Sequence, residues 1–370
     1  MNLDFSEDQK LLQQTARDYL AEHSPLTLCR EVFESDTPYA SGLWKGAAEL
    51  GWLGTAIDEE YGGAGFGYLE LALIAEEIGR SLAPIPFAST IYGPTEAIRL
   101  AGSDAQKKEY LTKIAAGDLV ATLALTEGPG QNDVEAVSTT LADGKLTGTK
   151  LPVIDGAAAD VALVAATSSA GLSLALVDLT GPGVTRTPVE SIDPSRPLAQ
   201  IQLDGAPAEL LGAEGSGAEL AATVLDRAAA LMAFEQLGSA SRALEITREF
   251  VMGRYAFGRP IASFQAVKHR LADLWCEIDL ARSNCYWAAW ALANEEPELE
   301  LAACSARIAA TSAFDLASVE MIQLHGGVGY TWEYDCHLFY RRARLLGAAL
   351  GGATAWRDRL IGRIDARTAA

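Results

Sequence analysis

The feature that most constrains this chain is a change of texture along it. Residues 1–117 carry apolar residues at helical spacing. Residues 118–213 turn to Val, Thr and Leu in short runs separated by Asp-Gly and other Gly-rich junctions, and from 214 helical spacing returns to the end. At 370 residues the chain is too long for one ordinary core. It reads as an α+β protein of three domains: an N-terminal helical domain (1–117), a middle β domain (118–213) built as a barrel or sandwich, and a C-terminal four-helix bundle (214–370).

Local signals give expected boundaries. Ser6, with Glu7 and Asp8, starts the first helix, FSEDQKLLQQTARDYLAEH. LWKGAAELGWLG is a short helix ended by Gly51 or Gly54. YLELALIAEEIGRSLAP is an apolar helix closed by Gly79 and Pro84, and DAQKKEYLTKIAAGD stops at Gly117. Strands are expected in LVATLALTE, TTLADGKLTGTKLPVID, ADVALVAATS, LSLALVDLTG and LAQIQLDG. Four bundle helices are expected over 215–256, 262–293, 296–324 and 333–365, joined by short polar links.

Composition narrows the function. The formal net charge is -20, which argues against a nucleic-acid or anionic-membrane partner and requires a local basic site for any anionic ligand. No apolar run reaches the length of a membrane span, and the acidic, amphipathic start is not a signal peptide. The five cysteines are scattered, with no CxxC pair, as reduced thiols of a cytoplasmic protein would be. No second His or Cys stands at metal-binding spacing from His325, which is read as a structural histidine, so no metal is expected.

Three motifs stand out. In RYAFGRPIASFQ, Arg254 and Phe257 are three apart, on one face if the helix continues; Gly258 and Pro260 then break it and Gln265 opens the next helix. A guanidinium clamps a diphosphate, an aromatic face covers a flat heterocycle and an amide reads a ring edge. In QLHGGVGY, Gly326, Gly327 and Gly329 let a backbone approach a ligand or another helix. In ALTEGPGQND a strand runs into a Gly-Pro-Gly loop. Taken singly, these have ordinary explanations as a helix corner, a helix cap and a turn.

Their order is more informative. A helical first third, a β middle carrying LTExxxxxD, then RxxFGxxxxxxQ and QxHGGxGY in a bundle together resemble the acyl-CoA dehydrogenase family over essentially the whole chain. The resemblance implies FAD held between β domain and bundle. The backbone at Leu125 and Thr126 would face the isoalloxazine ring. Arg254, Phe257, Ile261, Gln265, Gln323, Gly326 and Gly327 would grip the adenosine diphosphate half, across a subunit boundary. It further implies an acyl-CoA substrate, an electron-transfer flavoprotein as acceptor, and a tetramer. GRPIASFQAVKHRLADL and GYTWEYDCHLFYRRA look like the bacterial branch that includes steroid-degradation α2β2 heterotetramers.

The sequence also departs from that pattern. The family removes the substrate α-proton with a glutamate, and its two usual positions match Leu350 and Ala228, with Ala229 where an arginine usually follows. The nearest carboxylate on roughly the same face of that helix is Glu235, about 10 Å further along, and it is the candidate base. The flavin-facing strand has Pro152 and Ile154 in place of Trp-x-Thr. Two readings follow: an FAD-dependent α,β-dehydrogenase with a relocated base, or a non-catalytic or half-site subunit that completes a partner's FAD site. Arg341, Arg342 and Arg344 are expected to serve CoA phosphates or acidic neighbours.

Overall fold

The computed structural model describes residues 5–131, 134 and 136–369. Asp133, the last residue of the LTExxxxxD pattern, lies outside the described residues. The first block contains α1 (Glu7–His23), α2 (Leu26–Phe33), α3 (Ser41–Glu49), α4 (Tyr68–Arg80), α5 (Glu96–Ala101), α6 (Asp104–Gln106) and α7 (Thr112–Ala115). Ser6 caps α1 by exchanging hydrogen bonds with Gln9, its hydroxyl accepting from the Gln9 amide and its own amide donating to the Gln9 side chain. Gly51, at φ 75°, makes the left-handed turn after α3.

The middle block contains β1 (Ala121–Ala124), β2 (Thr140–Ala142), β3 (Lys145–Ile154), β4 (Val161–Ser168), β5 (Gly171–Asp178), β6 (Val184–Val189) and β7 (Leu198–Leu211). Its hydrogen bonding closes on itself. β4 pairs with β5, β5 with the last part of β7, β7 with β3, β3 with β2, and Thr140 of β2 returns to Thr167 of β4. A barrel, not a two-sheet sandwich, is therefore formed. The strand absent from the sequence reading is β6, VTRTPV. It is half-exposed, contains Pro188 and pairs only with β7, so it carries neither alternation nor a strong apolar run.

The last block contains α8 (Gly217–Gly253), α9 (Gln265–Ala293), α10 (Leu299–His325), α11 (Cys336–Ala348) and α12 (Ala353–Ala369). The helix expected over 333–365 is thus two helices. The chain breaks where Leu350 and Gly351 take positive φ of 57° and 92°. The RYAFGRP stretch also differs from expectation. α8 stops at Gly253, and β8 (Tyr255–Ala256) pairs with β9 (Arg259–Pro260) across a two-residue turn in which Phe257 and Gly258 both have positive φ. Arg254 and Phe257 sit on a hairpin, not on a helix face.

One contact docks the first block on the last. From Val224 to Ala240 α8 is buried on every side, so its helical period is invisible in the sequence. Here α4 crosses it backbone to backbone. A Cβ added at Gly79 would fall 1.9 Å from the carbonyl oxygen of Glu235, and one at Gly238 would fall 1.8 Å from that of Glu76. The Ser239 hydroxyl donates to the Gly79 carbonyl at 2.9 Å across the same crossing. Gly79 therefore does not close α4, as its position suggested; it lets α4 touch α8. Replacing Gly238 by Ala should force the helices apart and destabilise the protein by about 2 kcal/mol. Gly362, exposed on α12 with nothing within 4 Å of its added Cβ, should gain about 0.5–1 kcal/mol on the same change. Denaturant midpoints of the two variants check the pair.

Candidate functional site

A cavity of ≈ 530 Å³ lies where the three blocks meet. The barrel contributes Leu123, Leu125, Thr126, Pro152 and Ile154. The segment before α5 contributes Ala88, Ser89, Tyr92 and Gly93; α8 contributes Leu225, Ala228 and Met232; the end of α11 contributes Leu345, Leu346 and Ala348, and the α11–α12 connection contributes Ala349 to Gly352. These walls are mostly apolar. Ala88–Thr95 is a π-helical turn containing Pro94, whose missing N–H the wider turn accommodates. The Thr90 hydroxyl accepts from the Ala121 amide at 3.1 Å, which ties this turn to β1 and sets Tyr92 and Gly93 on the wall.

The loop after β1 is held at its root. Thr126 accepts from the Leu151 amide at 3.0 Å. The Glu127 carboxylate accepts from the backbone and hydroxyl of both Ser138 and Thr139 and from the buried Lys150 ammonium at 2.9 Å. Burial alone would raise the Glu127 pKa, but these bonds outweigh it and hold the carboxyl well below the usual carboxylate range. The LTE glutamate is thus a loop anchor.

Behind the cavity runs a buried ionic network. Arg196 grips Asp155 at 2.7 Å and lies 3.7 Å from Glu235; Arg342 meets Asp193 and donates to Ser195 at 2.9 Å. Arg307, also buried, donates to Gln236 beside Glu235. Three carboxylates thus face two guanidiniums directly, with the Arg307 guanidinium beside them on neutral acceptors. Burial works against the Arg196 charge, yet Asp155 and Glu235 keep its pKa raised; burial pushes Arg307 down to about 10, because only Glu235 opposes it, from a distance.

The structure divides the sequence-predicted residues into two groups. Leu125 and Thr126 line the cavity, and so do both expected base positions, Ala228 and Leu350, and the altered strand residues Pro152 and Ile154. Ala229 is buried elsewhere. Among the described residues lining the cavity there is no Asp, Glu or His. The second group is exposed or half-exposed: Arg254, Phe257 (95% exposed), Ile261, Gln265, Gln323, Gly326 and Gly327. His325 stacks on Phe250 at 4.1 Å and pairs its Nδ1 with the Met321 carbonyl, so it is structural, and it brings the ends of α8 and α10 together beneath this group. Of the three arginines, Arg342 is buried on Asp193, Arg341 donates to the Ile192 carbonyl, and Arg344, on the cavity wall, pairs with Asp315. Acidic neighbours therefore account for Arg342 and Arg344.

Glu235 does not line the cavity. It is fully buried, the Tyr92 hydroxyl donates to it at 3.2 Å and Arg196 lies 3.7 Å away, and these two partners, not Glu235, line the cavity. This placement makes it a counter-ion of the network, one side chain removed from the cavity that the sequence reading expected it to serve as a base. Sequence reasoning missed Tyr92, Arg196 and Arg307 because each comes from a stretch with no motif spacing. Glu235→Gln should leave the guanidiniums undercompensated and cost about 3 kcal/mol of stability. Lost turnover in a variant of unchanged thermal midpoint would instead make Glu235 the base.

Family models match both helical blocks, "Acyl-CoA dehydrogenase, N-terminal domain" over 6–118 and "Acyl-CoA dehydrogenase, C-terminal domain" over 215–364. The chain is 35% identical over 338 residues to the acyl-CoA dehydrogenase IpdE2 of Mycobacterium tuberculosis, covering 91% of each protein. Among solved structures it is similar to a Tcur3481-Tcur3483 steroid ACAD variant at 32% identity and TM-score 0.91, covering 98% of this chain and 99% of that one. It is also similar to a chain of the ChsE4-ChsE5 complex of M. tuberculosis at 28% identity and TM-score 0.90, covering 99% of each. With two blocks matched by family models and a curated relative of this identity and coverage, the chain belongs to the acyl-CoA dehydrogenase family.

Proposed function

We propose that this chain works in the FAD-dependent α,β-dehydrogenation of an acyl-CoA thioester, as one subunit of a tetramer. One observation carries the reading: the residues expected to meet the two ends of the flavin dinucleotide do not share a wall. Leu125 and Thr126 belong to the buried cavity, whereas Arg254, Phe257, Gln265, Gln323, Gly326 and Gly327 belong to an exposed face at the other group. Gly326 and Gly327 have nothing within 4 Å of an added Cβ, which leaves their backbone open to a ligand. A cofactor seated in one subunit's cavity is thus gripped by the clamp of another.

FAD is the family's cofactor, and the residues present fit it: a mostly apolar cavity joined to the backbone end of β1, and a cationic, aromatic clamp in a chain of net charge -20. FAD supplies the hydride acceptor for the substrate β-carbon. This chain's part is to keep water from the cavity with Ile154, Met232 and Leu346, and to orient the acyl group against Gly93 and Ala228. Electrons then pass to an electron-transfer flavoprotein. No helix among the described residues is long and apolar enough to cross a membrane.

A second reading rests on the same cavity. An α-proton needs an acceptor within hydrogen-bonding reach, and the described lining supplies no carboxylate or imidazole. This favours the half-site subunit of an α2β2 assembly, with the acceptor on the partner. The named two-protein relatives support that arrangement, and one of them being a steroid ACAD supports a steroid acyl group as substrate. Restoring an acid tests it. Leu350→Glu, on the cavity wall, should raise acyl-CoA oxidation by the FAD-loaded chain alone by at least about 100-fold. Full turnover by the wild-type chain alone, unchanged by Leu350→Glu, would overturn the half-site reading.

A further inference from the structure

The connection between α11 and α12, Ala349-Leu-Gly-Gly352, has little intrinsic reason to hold one shape. Two glycines free the backbone, and Leu350 sits at φ 57°, which costs a non-glycine residue about 1 kcal/mol. Yet the connection forms one wall of the cavity.

Its carbonyls explain the rigidity. Arg307 of α10 is 1% exposed. One arm of its guanidinium donates to the carbonyls of Leu346 and Ala349, the latter at 2.6 Å, and the other arm donates to Gln236 of α8. Gln236 is held in turn by the Thr311 hydroxyl at 3.2 Å. From the opposite side Trp356, 2% exposed in the first turn of α12, donates its indole N–H to the Leu350 carbonyl at 3.1 Å. Two carbonyls of the glycine-rich segment and one in the last turn of α11 are thus fixed by donors in the interior, and neither Arg307 nor Trp356 lines the cavity. The opposite wall is braced from the same turn of α8, because Glu235 holds Tyr92 and Arg196.

We propose that Arg307 and Trp356 are positioning residues that fix Leu350 on the cavity wall and thereby set which acyl groups the cavity admits. The selectivity part rests on the acyl-CoA reading above; the positioning part does not. A lysine at 307 ends in one compact ammonium, which lacks the spread of the guanidinium fork and cannot bridge acceptors on α8, α11 and the connection at once. A phenylalanine at 356 keeps a ring and loses the N–H.

The test compares Arg307→Lys and Trp356→Phe with Arg227→Lys, a buried arginine bonded to Tyr68 and Glu96 and not to this connection. Hydrogen exchange of the 349–352 amides is measured on the full chain. Calorimetry then gives the affinities of the flavin-loaded oligomer for inert CoA thioethers bearing a butyl, an octyl or a cyclohexylethyl group. In the Arg307 and Trp356 variants exchange at 349–352 should rise, and the affinity ratio between best and worst thioether should fall about tenfold. Arg227→Lys should change neither, whatever its thermal midpoint. Unchanged exchange in the first two variants overturns the positioning role. Raised exchange with an unchanged affinity ratio overturns the selectivity role. A wild-type oligomer that binds none of the thioethers overturns the acyl-CoA reading, while the exchange result still decides the positioning role.

Discussion

Where α4 crosses α8 the two backbones touch, and much of the molecule is built around that contact. Gly79 and Gly238 each admit the other helix's carbonyl. The same turn of α8 carries Glu235 and Gln236, whose side chains reach Arg196, Tyr92 and Arg307. A backbone crossing that tolerates no Cβ fixes the distance between the first and last blocks, and a buried ionic network ties the middle block to the last. Such networks add little net stability compared with an apolar core, but a missing partner is costly. Their role here is to hold one geometry, with the cavity as its product.

Much of this was legible in the sequence. The helix–strand–helix texture follows from periodicities of 3.6 and 2 that burial on one face imposes. The Ser6 cap, the Gly51 turn and most strands followed from local chemistry. What escaped has physical causes. α8 is buried all round, so no face distinguishes Glu235 as interior. β6 is an edge strand with no apolar signal. The RYAFGRP hairpin looked helical because its turn places Phe257, an unusual residue, at positive φ. Arg196 and Arg307 were hidden because their partners, Asp155 for the one and Gln236 with the Leu346 and Ala349 carbonyls for the other, are distant in sequence and no motif links them.

The site divides along the same line. Motif residues with recognisable spacing, Arg254, Phe257, Gln265 and the Gly326–Gly327 pair, stand on an exposed face, the one that the proposed tetramer would set against another subunit. The cavity residues are ordinary apolar side chains in sequence, and only the fold brings Ala228 of α8 and Leu350 of the α11–α12 connection to one wall. A methyl and an isobutyl group stand where the resemblance places a proton acceptor. That substitution turns a family assignment into a specific statement about division of labour between subunits.

The most direct test of that statement is anaerobic bleaching of the oxidised-flavin band. The purified, FAD-loaded chain is mixed with a panel of acyl-CoA thioesters that includes steroid side chains, with and without a co-expressed second acyl-CoA dehydrogenase subunit. The account predicts no bleaching by the chain alone and rapid bleaching by the two-subunit assembly. Rapid bleaching by the chain alone would contradict it, and would mean that a proton acceptor reaches this cavity from within the chain itself.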